Sequence, residues 1–252
     1  MTKIMLSGCN GKMGRVIDRL VSEREDATIV CGIDINTQAN GAYPVVASPA
    51  EFDGSCDVII DFSHPNCLEG LLAYAVANHV PAVICTTGLT QAQKDSLAEA
   101  AKQTPIFFSA NMSLGVNLLI DLAKRAAKLL EGSFDIEIIE KHHNQKIDAP
   151  SGTALAIADA ISDVLAETPA YTYDRHSVRK KRAKDEIGIH AVRGGTIVGE
   201  HEIIFAGADE VIELKHHAAS KEVFAVGAVK AAIFMKNKAP GMYSMTDLVA
   251  QI

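Results

Sequence analysis

Over its first 112 residues this chain alternates short, β-branched, largely apolar runs with stretches of helical spacing. The runs are Lys3–Ser7, Thr28–Ile33, Asp57–Phe62, Ala82–Cys85 and Ile106–Ser109, and helical stretches stand at Gly14–Arg24, Leu68–Asn78 and Gln91–Lys102. A strand with no polar face is covered on both sides, and strands joined through crossover helices run parallel. The pattern predicts an α/β fold with a Rossmann-type, doubly wound parallel sheet.

After a long helix predicted at Val116–Leu130 and stopped by Gly132 as a C-cap, the rhythm changes. Phe134–Glu140 alternates apolar and polar, a helix is predicted at Gly152–Glu167, and strand-like runs stand at Ile187–Arg193, Ile197–Phe205 and Val211–His216. These predict a smaller α+β domain with a mixed sheet. The helix expected at Glu222–Met235 is apolar on most sides, so the tail is expected to return to the first domain. The expected division is therefore 1–113 completed by 222–252, and 114–221. The basic run Arg179–Glu186 reads as a solvated loop.

The length of 252 residues allows two domains with real cores. A net charge of −7 argues against nucleic acid as a partner. There is no run of the ~20 apolar residues that a membrane helix requires, nor a signal-peptide pattern at the N-terminus. Five cysteines, odd in number and without metal-like spacing, argue for a reducing, cytoplasmic setting.

The first strand runs into SGCNGKMGR, which opens a helix, and Asp34 closes the second strand. Glycines there allow a tight turn and let a pyrophosphate approach amides at a helix N-terminus, and the acid can accept from a ribose diol. The spacing is GxxGxxG rather than GxGxxG, so the signal rests on its strand, helix and acid together. Asp34 favours NADH, while Lys12 offers a cation for the extra phosphate of NADPH. Two more strand ends, Cys85–Gly88 and Ser109–Ser113, point to the same crevice, either as contacts to the nicotinamide end or as capped turns.

Seven of the nine histidines follow residue 140. The segment EKHHNQKIDAPSGTALAIADAI, Glu140–Ile161, carries His142, His143 and Lys146 and enters a helix at Ser151, Gly152 and Thr153, with Ser151 as N-cap. Free amides at a helix start beside a lysine suit a carboxylate. Zinc is disfavoured, since neighbouring histidines on a strand face opposite ways. His216 and His217 read as plain surface residues.

GCNGKMG, EKHHNQKIDAPSGTA and IGIHAVRGGTIVGEHEIIFAG, in this order across almost the whole chain, resemble the 4-hydroxy-tetrahydrodipicolinate reductase (dihydrodipicolinate reductase) family. The resemblance implies a nucleotide domain for NADH or NADPH, a second domain for substrate and tetramerisation, and a cleft that closes between them. It implies His142 and Lys146 as catalytic residues and His143, Ser151, Gly152 and Thr153 as contacts to a small cyclic imine dicarboxylate. In the cofactor site it implies Gly8, Cys9, Asn10, Gly11, Lys12, Met13, Asp34, Cys85, Thr86, Thr87, Ser109, Ala110, Asn111 and Met112, with no metal. Asn10, Asp34 in place of Glu, and the missing arginine after it depart from many relatives and bear on NADPH use. A dehydrogenase of aldehydes or sugars, or a silent nucleotide sensor, would need no such histidine–lysine segment. Residues 141–193 carry a net +2 against −5 for residues 1–112, which fits an acidic substrate.

Overall fold

A computed structural model describes residues 1–39, 41–109 and 111–251. In chain order the elements are β1 (Thr2–Ser7), α1 (Lys12–Ser22), β2 (Ala27–Ile33), β3 (Val45–Val46), β4 (Val58–Asp61), α2 (Leu68–Ala77), β5 (Ala82–Ile84), α3 (Gln91–Ala100), β6 (Pro105–Phe108) and α4 (Leu114–Leu130). They continue as β7 (Asp135–His142), α5 (Gly152–Ser162), β8 (Ala170–Thr172), β9 (Glu186–Arg193), β10 (Gly199–Ala206), β11 (Val211–Ala218), α6 (Glu222–Met235), β12 (Gly241–Tyr243) and α7 (Met245–Val249). The chain divides into two compact units, Met1–Leu114 with Glu222–Ile252, and Gly115–Lys221.

The first unit holds a seven-stranded sheet in the order β12-β6-β5-β4-β1-β2-β3, parallel throughout. Because side chains alternate along a strand, its apolar runs feed two cores. Ile4, Leu6, Ile60, Val83 and Phe107 pack on one face with Ile17 of α1 and the alanines of α6. Met5, Ile59, Ile84 and Ile106 pack on the other with Leu68, Leu71 and Leu97 from α2 and α3. The doubly wound sheet thus stands as expected. The pattern passed over β3, β12 and α7, elements of two to five residues that are too short to show a period.

The second unit holds a mixed sheet in the order β11-β10-β7-β9-β8. β10 runs antiparallel to both β11 and β7, whereas β7 and β8 run parallel to β9. Ile136, Ile138, Ile189, Ile203 and Phe205 face Leu119 and Ala123 of α4 and Ile157 and Ile161 of α5. The period of two that buries Ile136 and Ile138 also puts Glu140 and His142 on this face. The apolar face therefore turns polar toward one end.

Two expectations need correction. The helix predicted at Gly152–Glu167 stops at Ser162, where Val164 and Leu165 tighten onto the carbonyls of Ile161 and Ser162 and the Glu131 carboxylate takes the Ala166 N–H at 2.6 Å. The run Arg179–Glu186 is not simply solvated. Arg182, inside it, donates to Asp135 at 3.0 Å, to Glu137 at 3.0 Å, and to the carbonyls of Ile136 and Glu186.

Candidate active site

In a parallel sheet every strand ends at the same edge, and at that edge the first unit gathers its polar turns. Gly8 follows β1 at φ +77°, and a Cβ there would stand 2.4 Å from the Phe62 carbonyl oxygen. A Cβ on Gly14 would stand 2.2 Å from the Gly8 carbonyl oxygen, so α1 meets the turn as closely as backbone can. Gly11 caps α1 without any side-chain hydrogen bond, which leaves the first-turn amides aimed outward beside exposed Lys12 and half-buried Met13. Asp34 sits across the turn, its carboxylate accepting from the Asn10 amide at 3.0 Å and the Asn36 amide at 3.1 Å. A cavity of about 440 Å³ opens there, lined by Gly8, Gly11, Asp34, Ile35 and His64 among others. A turn that only glycine fits, outward amides, an acid and a cavity together suit a dinucleotide.

The other residues expected at this site play several parts. The Cys9 thiol is buried, pushed up to about 11 by burial and then by the Asp34 charge, so this residue offers backbone alone. Asn10 turns its side chain to the carbonyls of Asn36, at 2.6 Å, and Gln38, at 3.1 Å. Cys85 is buried, and burial pushes its thiol well up. The Thr86 hydroxyl donates to Asp61 at 2.6 Å, so its hydrogen serves the turn, whereas Thr87 is exposed. The Ser109 hydroxyl donates to the Asn111 carbonyl at 3.2 Å, and the Asn111 side chain accepts from the Ser113 amide. Met112 is buried, and Ala110 lies outside the described residues. A larger groove between α2 and α3, about 910 Å³, is lined by Glu69, Asp95 and Glu99, the wrong charge for a phosphate or carboxylate.

The second unit carries the other set. His142 ends β7, its Nδ1 2.6 Å from the carboxylate of Glu140, which is entirely buried. Arg193, at the end of the neighbouring β9, grips both oxygens of that carboxylate at 2.7 Å each, and the Ser151 amide donates to it at 2.9 Å. Burial opposes ionisation of Glu140, but these donors outweigh it and hold its carboxyl below the usual range. After half-buried His143 the chain turns, with the Lys146 amide on the His143 carbonyl, and Lys146 Nζ lies 2.8 Å from Asp148. Asp148 also accepts from the Gly152 amide, and it is held low chiefly by Lys146.

Ser151 begins α5 as expected, its hydroxyl accepting from the Ala154 amide at 3.2 Å. Nothing lies within 4 Å of where a Cβ on Gly152 would stand, so the helix start is open beside half-buried Thr153. His201 of β10 meets the Ser151 hydroxyl through Nε2 at 3.2 Å and the His142 ring edge to face at 5.3 Å. Its Nδ1 is buried without a partner, and burial, then His142, pushes it down to about 4. His216, read as plain surface, lies opposite His201 with its Nδ1 also buried and unpartnered.

Glu140, Arg193 and His201 were missed from sequence. Glu140 stands two residues before His142, so strand period alone could have placed both on one face. Arg193 and His201 arrive from other strands, through register that no local pattern carries.

A nucleotide turn and acid on a parallel sheet, with a separate mixed-sheet unit that gathers a histidine, a lysine and an open helix start, define a two-domain, nucleotide-dependent oxidoreductase. Comparison with known proteins narrows this. Residues 2–112 match the model of the dihydrodipicolinate reductase N-terminus, and residues 115–249 match that of its C-terminus. The chain is 51% identical over 249 residues to the 4-hydroxy-tetrahydrodipicolinate reductase of Clostridium novyi (strain NT), covering 99% of this chain and 98% of that one. It is 53% identical, with the same coverage, to the protein of that name from Caldanaerobacter subterraneus subsp. tengcongensis. The dipicolinate-bound dihydrodipicolinate reductase from Paenisporosarcina sp. TG-14 superposes with a TM-score of 0.81 at 26% identity, covering 97% of each chain. The chain belongs to the dihydrodipicolinate reductase family.

Proposed function

We propose that this chain reduces 4-hydroxy-tetrahydrodipicolinate, after loss of water, to tetrahydrodipicolinate with NADH or NADPH, in diaminopimelate and lysine biosynthesis. The observation that carries this is the meeting, at the polar end of one sheet face, of His142, Lys146 and the open start of α5. Such a set suits a planar ring with carboxylates beside a centre that needs a proton. When bound at the glycine turn, the reduced nicotinamide supplies a hydride to ring C4, the end of the conjugated C=C–C=N system. Asp34 and the outward amides of Lys12 and Met13 hold the nucleotide, and Lys12 is the cation at hand for the extra phosphate of NADPH.

Lys146 and the Ser151–Thr153 helix start take one substrate carboxylate, which replaces Asp148 in both of its present bonds. His143 contacts the substrate. The enamine left by hydride addition takes its proton at carbon from His142, whose Nδ1 is engaged by Glu140 and whose Nε2 is the exchanging end. Lys146 serves the substrate carboxylate as counter-ion.

The proposed setting is the cytoplasm and the proposed assembly a homotetramer. No described helix is long and apolar enough to cross a membrane. Support for assembly comes from the second sheet: α4 and α5 pack on one face, while the other presents half-buried Ile139 and Ile204 and exposed Val192. A first test uses pyridine-2,6-dicarboxylate, a planar mimic. Titration calorimetry should show wild-type binding weakened about tenfold or more in Lys146→Ala, the scale of a lost charge-assisted bond. Equal binding by both proteins would remove Lys146 from the carboxylate site.

A further inference from the structure

The mixed-sheet unit holds one carboxylate to which everything at its polar end is tied. Glu140 is 0% exposed, and its two oxygens meet His142 Nδ1, both terminal nitrogens of Arg193 and the Ser151 amide. Arg193 reaches onward to the Asp148 carbonyl at 2.7 Å, in the turn that carries Lys146. One ion pair thus fixes the histidine ring, the N-cap of the carboxylate-binding helix and the lysine turn. A surface pair would contribute little, but a fully buried carboxylate with several donors sets geometry, since losing one partner leaves the rest unsatisfied.

We propose that Glu140 and Arg193 are positioning residues for the reduction: they hold His142 with Nδ1–H toward Glu140 in both charge states, leaving Nε2 as the proton-exchanging end, and lock the Ser151 helix start and the Lys146 turn to the same anchor. This rests on the proton-donor role proposed above for His142. Space for Nε2 is built in, since it stands 3.1 Å from where a Cβ on Gly199 would lie. The titratable groups that meet the ring are Glu140 on its own strand and His201 on β10, with Arg193 of β9 gripping the same carboxylate; Lys146 and His216 act on His201.

The test is Glu140→Gln, with Glu140→Asp as the variant that keeps the charge. An amide must turn NH2 toward at least one donor that the carboxylate accepts from, and it carries no charge. In E140Q, kcat should fall roughly tenfold or more, a share of what a positioned general acid supplies, and KM for the imine should rise through the loosened helix start. The pH profile of kcat/KM should depart from that of wild type, since the amide puts no charge against the ring. E140D should return the profile toward wild type.

Fluorescence titration of NADH, whose residues lie in the other unit, should give unchanged affinity and so report folding. Nitrogen NMR of the wild-type ring at alkaline pH should show Nδ1 protonated and Nε2 bare. The opposite tautomer would overturn the proposal, as would an E140Q pH profile superposed on wild type beside a disabled His142→Asn. Wild-type turnover in His142→Asn would instead overturn the proton-donor role alone, because the ring spectrum reports the Glu140 bond independently of activity.

Discussion

At the scale of single residues, the polar end of the second sheet sets how stability answers to pH. His201 is 5% exposed, and its burial pushes it down to about 4 from an ordinary 6.5. Between those values the unfolded chain binds the proton and the folded one does not, so stability rises with pH through the window and falls as pH drops from 6.5 toward 4. The full effect is on the order of 3 kcal/mol. Glu140 extends the loss further down, because its lowered carboxyl keeps its contribution only until pH falls through its folded value. Thermal unfolding at stepped pH checks this: His201→Gln should flatten the slope between pH 4 and 6.5, and an unchanged slope would remove His201 as its source. His142, Lys146 and Ser151 were legible because they fall within one continuous segment. Arg193 and His201 were not, because only strand register brings them there.

At the scale of elements, strands and helices longer than about a turn followed from apolar period, as short ones could not. Charge told less than it promised. The basic run after α5 looked like a solvated loop because its acid partners, Asp135 and Glu137, sit on β7. Arg175 bridges Glu137 and Glu186 while Arg182 adds Asp135 and two backbone carbonyls, so the segment is pinned to the starts of β7 and β9. With its side chain 18% exposed, Arg182 leaves several acceptors bare when removed. Arg182→Ala should cost about 2 kcal/mol and speed proteolytic cleavage within residues 173–185. An unaltered Tm and cleavage rate would mean that these bonds are surface contacts of no consequence.

At the scale of the whole molecule, the proposed tetramer depends on the uncovered face of the mixed sheet. Ile139 and Ile204 are half-buried there, among charged neighbours such as Glu202 and Lys215, which pair at 3.0 Å. A bulky charge at the centre of such a face would oppose association while leaving the opposite, buried face intact. Ile139→Arg should therefore lower the mass measured by light scattering without lowering NADH affinity. A tetramer of unchanged mass would place the interface elsewhere.

The central claim is the reaction, and its most direct measurement follows NADH absorbance on mixing the chain with the freshly made product of the preceding synthase step. The account predicts oxidation that depends on that substrate, is blocked by pyridine-2,6-dicarboxylate, and falls by roughly a hundredfold or more in His142→Ala while NADH still binds. Tight NADH binding with no oxidation in the presence of fresh substrate would contradict it.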